Sequence, residues 1–239
     1  MKQAKEKYLH HESATLHVTG KAIYINDMDV SGQTLYGKVV YSSCPHADIV
    51  RCDVNKAKQV KGVQAVLTYK NIPGANQMGP VFHDEPCLAE KSVTAIGQAI
   101  AIIAADNEES ALEAEKLIVI KYKTLKPLPD IQSAMAAGSR IAPTRKMERG
   151  YVEEALKKSK HQISGELYTG AQEHWYLETQ SALCVPGEGK EMTVYASSQH
   201  PSETQSIVAE VLGISKKEVT CEVKRMGGAF GGKETQANH

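Results

Sequence analysis

The length, composition and charge of this chain exclude several classes of protein. With 239 residues, 41% of them hydrophobic, the chain is long enough for one large domain or two ordinary ones around a buried core. Lysine and arginine together number 28, as do aspartate and glutamate, so the basic surplus typical of proteins that bind nucleic acid or anionic membranes is absent. We therefore expect neither nucleic acid nor a membrane as a partner.

Two features of the sequence bear on where the protein is located. The longest apolar run, Ala99–Ala105, is far shorter than the roughly 20 residues that span a bilayer, and it predicts a buried strand. Residues 1–13 are partly basic but have no apolar segment after them, so no secretory signal is predicted. These features predict a cytoplasmic protein.

The cysteines are odd in number, widely spaced and without any C-x-x-C pair. This pattern argues against a disulfide framework, a zinc ribbon or an iron–sulfur site in this chain. We expect buried thiols that pack as small hydrophobic side chains. The five residues are Cys44, Cys52, Cys87, Cys184 and Cys221.

The first half of the chain reads as short strands with few helices. Its strand segments are rich in Val, Ile and Tyr and are bounded by Gly, Pro, Asn or Asp. We predict strands at 21–27, 34–42, 47–54, 63–69, 98–105 and 116–125.

Two helices are predicted among these strands. Asp106 and Glu109 have the spacing of a capping box at the start of a helix that continues to Leu117. A shorter helix at 56–60 is predicted between Asn55 as its N-cap and a glycine just past its end. Together these elements predict a compact α+β module of about 125 residues.

A shift to Pro, Ser, Gly and mixed charge after this module indicates a linker. Within it, 131–137 has a brief helical pattern. We therefore predict a first domain at 1–127, a linker at 128–150 and a second domain that begins at 151 and continues to 239.

The second domain begins with a predicted helix at 152–159 and two strands, at 161–170 and 181–186. A clearer unit follows, with a strand at 191–199, a helix at 201–213 and a strand at 218–225. Proline at the start of the helix and Gly213 at its end mark the helix boundaries.

Gln199 is predicted to lie in the turn between this strand and the helix. Open α/β sheets bind their ligands at such turns, at the carboxyl ends of the strands. The glycine-rich loop "GGAFGG" at 227–232 follows the next strand at an equivalent edge. We therefore predict that the two turns meet at one site.

The glycine-rich loop comes within one residue of a phosphate-binding signature. Gly227, Gly232 and Lys233 match the frame G-x-x-x-x-G-K, but Glu234 replaces the Ser or Thr that would hold Mg²⁺. A carboxylate at that position would repel phosphates. We therefore reject a phosphate-binding loop and interpret the match of Lys233 as a coincidence.

Three residues of these turns are candidates for chemistry. Gln199 can orient an oxo or hydroxyl group through its carboxamide, or it can simply cap a turn. The glycines around Phe230 allow a ligand to approach the main chain, although a tight turn with Phe230 in the core is the alternative. Glu234 can accept a proton from a heterocycle, or it can be a solvated charge.

The segment 171–180, "AQEHWYLETQ", contains the sole Trp with a His and two Glu. Glu173 and His174 are adjacent in sequence, so their side chains project apart, and no metal-binding spacing is present. We therefore interpret the segment as a buried aromatic element with a structural role. The isolated His11, His17, His46 and His83 are likewise interpreted as structural.

Taken together, several motifs resemble the xanthine dehydrogenase and aldehyde oxidase family. The stretches "QEHWYLET", "SSQHPSETQSIVAEVLG" and "VKRMGGAFGGKE" are similar to its molybdopterin-binding segment. Upstream, "HVTGKAIYINDM", "LYGKVVYSSCPHADI", "DEPCLAE" and "GQAIAIIAADNEESALEAEKLIVIKY" resemble its α/β hammerhead domain. The implied fold is α+β, a hammerhead domain followed by the truncated start of a molybdopterin-binding α/β domain.

The resemblance implies roles for individual residues. Gln199 would contact the apical oxo group of a molybdenum centre, and Phe230 and Gly231 would lie at the same centre through their backbone. Glu234 would hydrogen-bond the heterocyclic substrate, as in the purine-hydroxylating branch of the family. In this interpretation the glycine-rich loop belongs to a molybdenum site.

The implied activity is hydroxylation of purines such as hypoxanthine and xanthine, with water as the oxygen source. Electrons would pass through [2Fe–2S] clusters and FAD, held on other subunits, to NAD⁺. We expect an oligomer in which the remainder of the molybdenum domain supplies most cofactor contacts, and we expect this length of chain alone to be inactive. Its second domain should expose apolar surface and self-associate. An aldehyde oxidoreductase of the same family and a non-catalytic interaction module remain the alternatives.

Overall fold

The computed structural model describes residues 11–28, 32, 34–79 and 82–235. They divide into two units by packing, one formed by the chain up to Thr124 together with the chain from His174, and the other by Leu125–Glu173. The domain boundaries proposed from the sequence stay a prediction. No helix within the described ranges is long and apolar enough to cross a membrane.

The described residues of the first unit form two antiparallel three-stranded sheets and one mixed sheet. The elements of this unit are α1 (Ala14–Val18), β1 (Tyr36–Tyr41), β2 (Ala47–Asp53), β3 (Val63–Thr68), β4 (Ser92–Val93), β5 (Ala99–Ala105), α2 (Glu108–Leu117), β6 (Val119–Thr124), β7 (Ala182–Pro186), β8 (Met192–Ala196), α5 (Pro201–Leu212) and β9 (Val219–Glu222). The first sheet has the order β1-β5-β3, the second has the order β4-β2-β6, and the third has the order β7-β8-β9.

Strand β5 lies at the centre of the first sheet and contributes to two cores. Ile103 and alternate alanines of β5 pack with Val40 of β1, Val66 of β3 and the buried Ala111 and Ala114 of α2. These small helical side chains allow α2 to lie close to the sheet. The intervening Ile100 packs instead with the core of the second sheet, which explains why the whole strand reads as apolar.

The predicted strands at 34–42, 47–54, 63–69, 98–105 and 116–125 are confirmed, although the last begins at Val119 because Leu117 ends α2. The strand predicted at 21–27 is wrong. A 3₁₀ turn occupies Ile25–Asp27, and its Asp27 carboxylate accepts a hydrogen bond from the Tyr24 N–H at 3.0 Å. Helix α1 and strand β4 were not predicted from the sequence.

Two predicted helix starts need correction. The N-cap of α2 is Asn107 and not Asp106, because the Asn107 side chain accepts a hydrogen bond from the Ser110 N–H at 2.8 Å. The helix predicted at 56–60 is a single 3₁₀ turn, Ala57–Gln59, whose N-cap is Lys56. Asn55 lies before this N-cap, and its N–H donates to Asp53 at 3.1 Å.

The third sheet and α5 form the unit that carries the candidate site. Strands β8 and β9 are parallel and are connected through α5, whereas β7 is antiparallel to β8. Both predicted boundaries of α5 are confirmed: Pro201 is its first residue, and Gly213 ends it in the left-handed region with φ 66°. The predicted strands at 181–186, 191–199 and 218–225 are present as β7, β8 and β9.

Hydrogen bonds tie α5 to the first half of the chain within the same unit. The Gly74 and Ala75 N–H groups each donate at 2.9 Å to carbonyls of the last turn of α5, those of Val211 and Glu210. The Arg225 guanidinium, after β9, donates to the Ile23 carbonyl at 2.6 Å. The last turn of α5 is therefore held by backbone groups from the first half of the chain.

The unit Leu125–Glu173 contains two short helices, α3 (Ile131–Ala136) and α4 (Val152–Lys158). The Asp130 side chain caps α3 by accepting a hydrogen bond from the Ser133 N–H at 2.6 Å. Both helices were predicted. The strand predicted at 161–170 is wrong, since these residues form neither helix nor strand.

Candidate functional site

Gln199 joins the two turns that were predicted to meet. It follows β8, and its backbone N–H donates to the Lys233 carbonyl at 2.7 Å. Its side-chain oxygen accepts hydrogen bonds from the N–H groups of Gly231 at 2.9 Å and Lys233 at 3.3 Å. The strand–helix turn and the glycine-rich loop therefore meet, as predicted, and their role as one functional site stays a prediction.

The glycine-rich loop takes backbone conformations that L-residues rarely adopt. Gly228 has φ 101° and Gly231 has φ 94°, and Phe230 itself has φ 51°. The Phe230 side chain is 74% exposed, so the alternative that placed it in the core is wrong. The loop presents this aromatic ring outward, one residue before the Gly231 N–H that donates to Gln199.

Segment 174–178 packs closely against this loop, and only glycine allows the approach. A Cβ added to Gly227 would lie 2.6 Å from the Glu178 Cβ, and one added to Gly232 would lie 2.5 Å from Cε1 of Tyr176. Two of the glycines are therefore needed for packing as well as for backbone conformation.

Lys233 lies under the loop with its side chain completely buried. Its Nζ donates to the Glu178 carboxylate at 2.9 Å and to the Ser197 hydroxyl at 2.6 Å. It also lies 4.9 Å from the centre of the Tyr176 ring, within cation–π range. Because this ammonium group is enclosed by protein, it is not available to a phosphate.

The match of Lys233 was interpreted as a coincidence, and neither its burial nor its pairing with Glu178 was predicted from the sequence. Lysine is rarely buried without a charged partner, and the segment "QEHWYLET" contains a glutamate for this purpose. The only signal was the residue types, since 55 positions separate Lys233 from Glu178.

The Glu178 carboxylate is held in its charged form. Desolvation raises its pKa, but the hydrogen bonds from the Gly227 N–H, the Ser197 hydroxyl and Lys233, with the charge of Lys233, outweigh it and leave the pKa below its usual value. All three donors bind the same oxygen, Oε2. The other oxygen, Oε1, is buried without a hydrogen-bond partner in the described part of the chain.

The aromatic segment 171–180 is not the buried element that was predicted from the sequence. Trp175 is 83% exposed and has φ 44°, so its predicted burial is wrong. The neighbouring Tyr176 is half-buried, and its hydroxyl lies 3.5 Å from the Gly232 carbonyl. The segment contacts the loop through Tyr176 and Glu178, while Trp175 faces away from the core.

The remaining candidates occupy varied environments. Glu234 is exposed, next to the buried Lys233. Among the cysteines, Cys44 is buried and Cys52, Cys87 and Cys221 are half-buried, but Cys184 is exposed, contrary to the expected burial. Within the described residues, no three His, Cys, Asp or Glu side chains are grouped so as to hold a metal ion.

The geometry of Gln199 fits a ligand that accepts hydrogen bonds. Because the loop N–H groups fix its side-chain oxygen, the orientation of the carboxamide is set. Its NH₂ group donates to no atom of the residues described, and Gln199 is exposed. The site therefore offers an oriented pair of donors beside a glycine-rich loop, which suits a ligand with hydrogen-bond acceptors.

The fold is shared with oxidoreductases of known structure. The aldehyde oxidoreductase from Desulfovibrio gigas superposes with a TM-score of 0.83 at 23% identity, covering 93% of this chain and 27% of that one. Quinoline 2-oxidoreductase from Pseudomonas putida 86 superposes with a TM-score of 0.81 at 23% identity, covering 96% of this chain and 32% of that one. The predicted fold class is thereby confirmed.

Two family models match almost the whole chain. The aldehyde oxidase and xanthine dehydrogenase a/b hammerhead domain matches residues 19–126, and the molybdopterin cofactor-binding domain matches residues 135–239. The chain belongs to the xanthine dehydrogenase and aldehyde oxidase family, which confirms the resemblance drawn from its motifs.

Xanthine dehydrogenases and aldehyde oxidases are both similar to this chain. Xanthine dehydrogenase from Dictyostelium discoideum is 44% identical, and aldehyde oxidase 3 from Mus musculus is 41% identical, each over 95% of this chain. The chain spans 17% of the length of each of these relatives.

Proposed function

We propose that this chain forms part of the molybdenum site of a hydroxylase of the xanthine dehydrogenase type. In this proposal Gln199, Phe230 and Gly231 contact the molybdenum–molybdopterin cofactor, and Glu234 contacts the substrate. The observation that supports it most is the fixed carboxamide of Gln199, whose oxygen is bound by the loop and whose NH₂ group is left to donate outward.

When bound, the cofactor supplies a two-electron oxidation in which the oxygen comes from water. The residues of this chain orient the cofactor and the substrate. Gln199 would hold the cofactor by donating a hydrogen bond from its NH₂ group, and the left-handed backbone at Phe230 and Gly231 would allow the cofactor to approach the main chain closely. These fixed donors need little reorganisation during the reaction, which is how preorganised polar groups contribute to catalysis.

Glu234 supports a purine as the substrate. A carboxylate forms charge-assisted hydrogen bonds with ring N–H donors, whereas an aldehyde offers no such donor. The substrates proposed are therefore hypoxanthine and xanthine, which are oxidised to urate. An aldehyde oxidoreductase is the alternative, because xanthine dehydrogenases and aldehyde oxidases are similar to the chain at nearly equal identity.

The rest of the proposed assembly lies outside this chain. [2Fe–2S] clusters and FAD on other modules carry electrons to NAD⁺, and the remainder of the molybdenum domain completes the cofactor site. This length of chain alone is proposed to be inactive, and the complete enzyme is proposed to be an oligomer. A non-catalytic interaction module is not favoured, because such a role gives no reason for the oriented donors of Gln199. The cytoplasmic location stays a prediction.

The test is a pair of substitutions in the assembled enzyme that contains this chain. Glu234→Ala should raise the barrier expressed in kcat/KM for xanthine by about 2 to 4 kcal/mol, since it removes one stabilising group from the site. Oxidation of an aromatic aldehyde should change far less. Gln199→Ala should lower kcat/KM for both substrates, because its proposed partner is the cofactor.

Glu188→Ala is the control, since among the described residues this exposed glutamate makes only one hydrogen bond, through its backbone carbonyl, in the turn before β8. This substitution should leave kcat/KM unchanged for both xanthine and the aldehyde. Equal losses for xanthine and aldehyde in Glu234→Ala, with molybdenum content unchanged, would show that Glu234 does not bind the purine.

A further inference from the structure

We propose that the buried ion pair of Lys233 and Glu178 is a positioning device that sets the orientation of the Gln199 carboxamide. This inference rests on the proposed function, in which Gln199 contacts the cofactor. It gives a role to the lysine that completes the phosphate-loop frame but is enclosed beneath the loop.

Lys233 holds Gln199 through its backbone. Its carbonyl accepts the Gln199 backbone N–H at 2.7 Å, and its own N–H donates to the Gln199 side-chain oxygen at 3.3 Å. The position of the Lys233 main chain therefore fixes both ends of Gln199. Whatever anchors the Lys233 side chain also anchors the carboxamide.

Glu178 connects the two turns through a single oxygen. Its Oε2 accepts hydrogen bonds from the Ser197 hydroxyl at 2.7 Å, from the Gly227 N–H at 2.7 Å and from Lys233 Nζ at 2.9 Å. Ser197 lies two residues before Gln199, while Gly227 and Lys233 lie at the two ends of the glycine-rich loop. One carboxylate thus holds the strand–helix turn and both ends of the loop.

The ammonium group of Lys233 is fixed in direction as well as in place. Two donor directions are occupied by Glu178 and Ser197, and the Tyr176 ring lies 4.9 Å away. A buried ion pair is weak support for stability, since hydrophobic residues of similar volume often replace it without loss. Its distinctive property is directional geometry, which suits the placement of a neighbouring polar group.

The adjacent residues Lys233 and Glu234 therefore have different proposed roles: Lys233 positions Gln199, and Glu234 contacts the substrate. Lys233 is completely buried and contacts the protein, whereas Glu234 is exposed. Lys233 is for this reason a positioning residue that acts through Gln199, with no contact to the substrate.

The test is a double-mutant cycle in the assembled enzyme, combining Lys233→Met with Gln199→Ala. Methionine keeps the apolar stem of the lysine and removes its charge. Lys233→Met should lower kcat for xanthine about tenfold with little change in KM, since the affected group acts on the cofactor. In the Gln199→Ala background the same change should cost less than about twofold, because residues that act through one another are not additive.

Hydrogen exchange provides a readout that does not depend on activity. In Lys233→Met, amide exchange in peptides covering 227–235 should rise at least about tenfold more than exchange in strands β1, β3 and β5. Ser197→Ala removes one hydroxyl from the same network and should give the same pattern with a loss in kcat of about threefold. Lys217→Met, at an exposed lysine that makes no side-chain hydrogen bond in the described part of the chain, is the matched control and should change neither readout.

The outcomes separate this inference from the function on which it rests. Additive losses in kcat together with unchanged exchange at 227–235, in Lys233→Met or in Ser197→Ala, would overturn the positioning role and leave the proposed function intact. If Lys233→Met does not fold, the same measurements of kcat and of exchange at 227–235 in Ser197→Ala are sufficient to test the inference. A Gln199→Ala enzyme with normal kcat would overturn the proposed function, and with it the role of the ion pair in catalysis.

Discussion

Replacing Lys233 by methionine should strongly destabilise the chain itself, independently of any cofactor. The lysine side chain has no exposed surface, and the Glu178 side chain is only 12% exposed. Removal of the ammonium group leaves a carboxylate that is mostly buried, with Oε1 already lacking a partner in the described part of the chain. Breaking a buried pair in this way costs about 3 to 5 kcal/mol in the free energy of unfolding.

The lower end of this range is expected, because Gly227 and Ser197 continue to donate to Glu178. Combining Lys233→Met with Glu178→Gln removes the uncompensated charge and should recover about 2 kcal/mol of the loss. Urea denaturation of the dilute chain, followed by circular dichroism, measures these differences.

The exposed-lysine control Lys217→Met should change the free energy of unfolding by less than about 0.5 kcal/mol. A loss below about 1 kcal/mol in Lys233→Met, or a double variant no more stable than the single one, would refute the account of a charge-balanced buried pair.

The other predictions concern packing, pH and thiol reactivity. Gly74→Ala should destabilise the chain by about 1 to 3 kcal/mol in urea denaturation, because the added methyl group would overlap the Glu210 carbonyl oxygen. Gly37→Ala, where the added methyl group meets open space, should change the free energy of unfolding by less than about 0.5 kcal/mol. Because the folded pKa of Glu178 is lowered, its contribution to stability should be complete above pH 4.5 and be lost as the pH falls below that value, and this acid loss should be smaller in Glu178→Gln. Burial raises the pKa of the Cys87 thiol to about 11, so iodoacetamide at pH 8 should alkylate it at least about tenfold more slowly than a free cysteine, as peptide mass spectrometry can measure.

Local signals in the sequence were sufficient for much of the fold. Proline at the start of α5 and Gly213 at its end act within a few residues, so both boundaries could be predicted. The strands around β5 were predictable because their apolar side chains pack in two cores. The segments 21–27 and 161–170 have similar alternation, but neither pairs with a neighbouring strand among the described residues. Alternation alone does not make a strand without such a partner.

The candidate site was predictable to the extent that it follows from topology. Gln199 and the glycine-rich loop both follow strands of one sheet, and such positions meet at one edge. The pairing of Glu178 with Lys233 depends on how the segment before β7 folds back, and nothing in either local sequence specifies it. Trp175 was placed in the core on residue type alone, and its exposure depends on the neighbouring Tyr176 and Glu178 taking the contacts with the loop.

The position of molybdenum relative to Gln199 is the decisive test of the proposed cofactor site. A crystal structure of the complete enzyme that contains this chain, with anomalous scattering recorded at the molybdenum edge, would locate the metal. We expect the metal centre beside Phe230 and Gly231, with the Gln199 side-chain nitrogen about 2.7 to 3.2 Å from an oxygen atom bound to the metal. A metal centre elsewhere, with the Gln199 carboxamide facing solvent or another part of the protein, would contradict it.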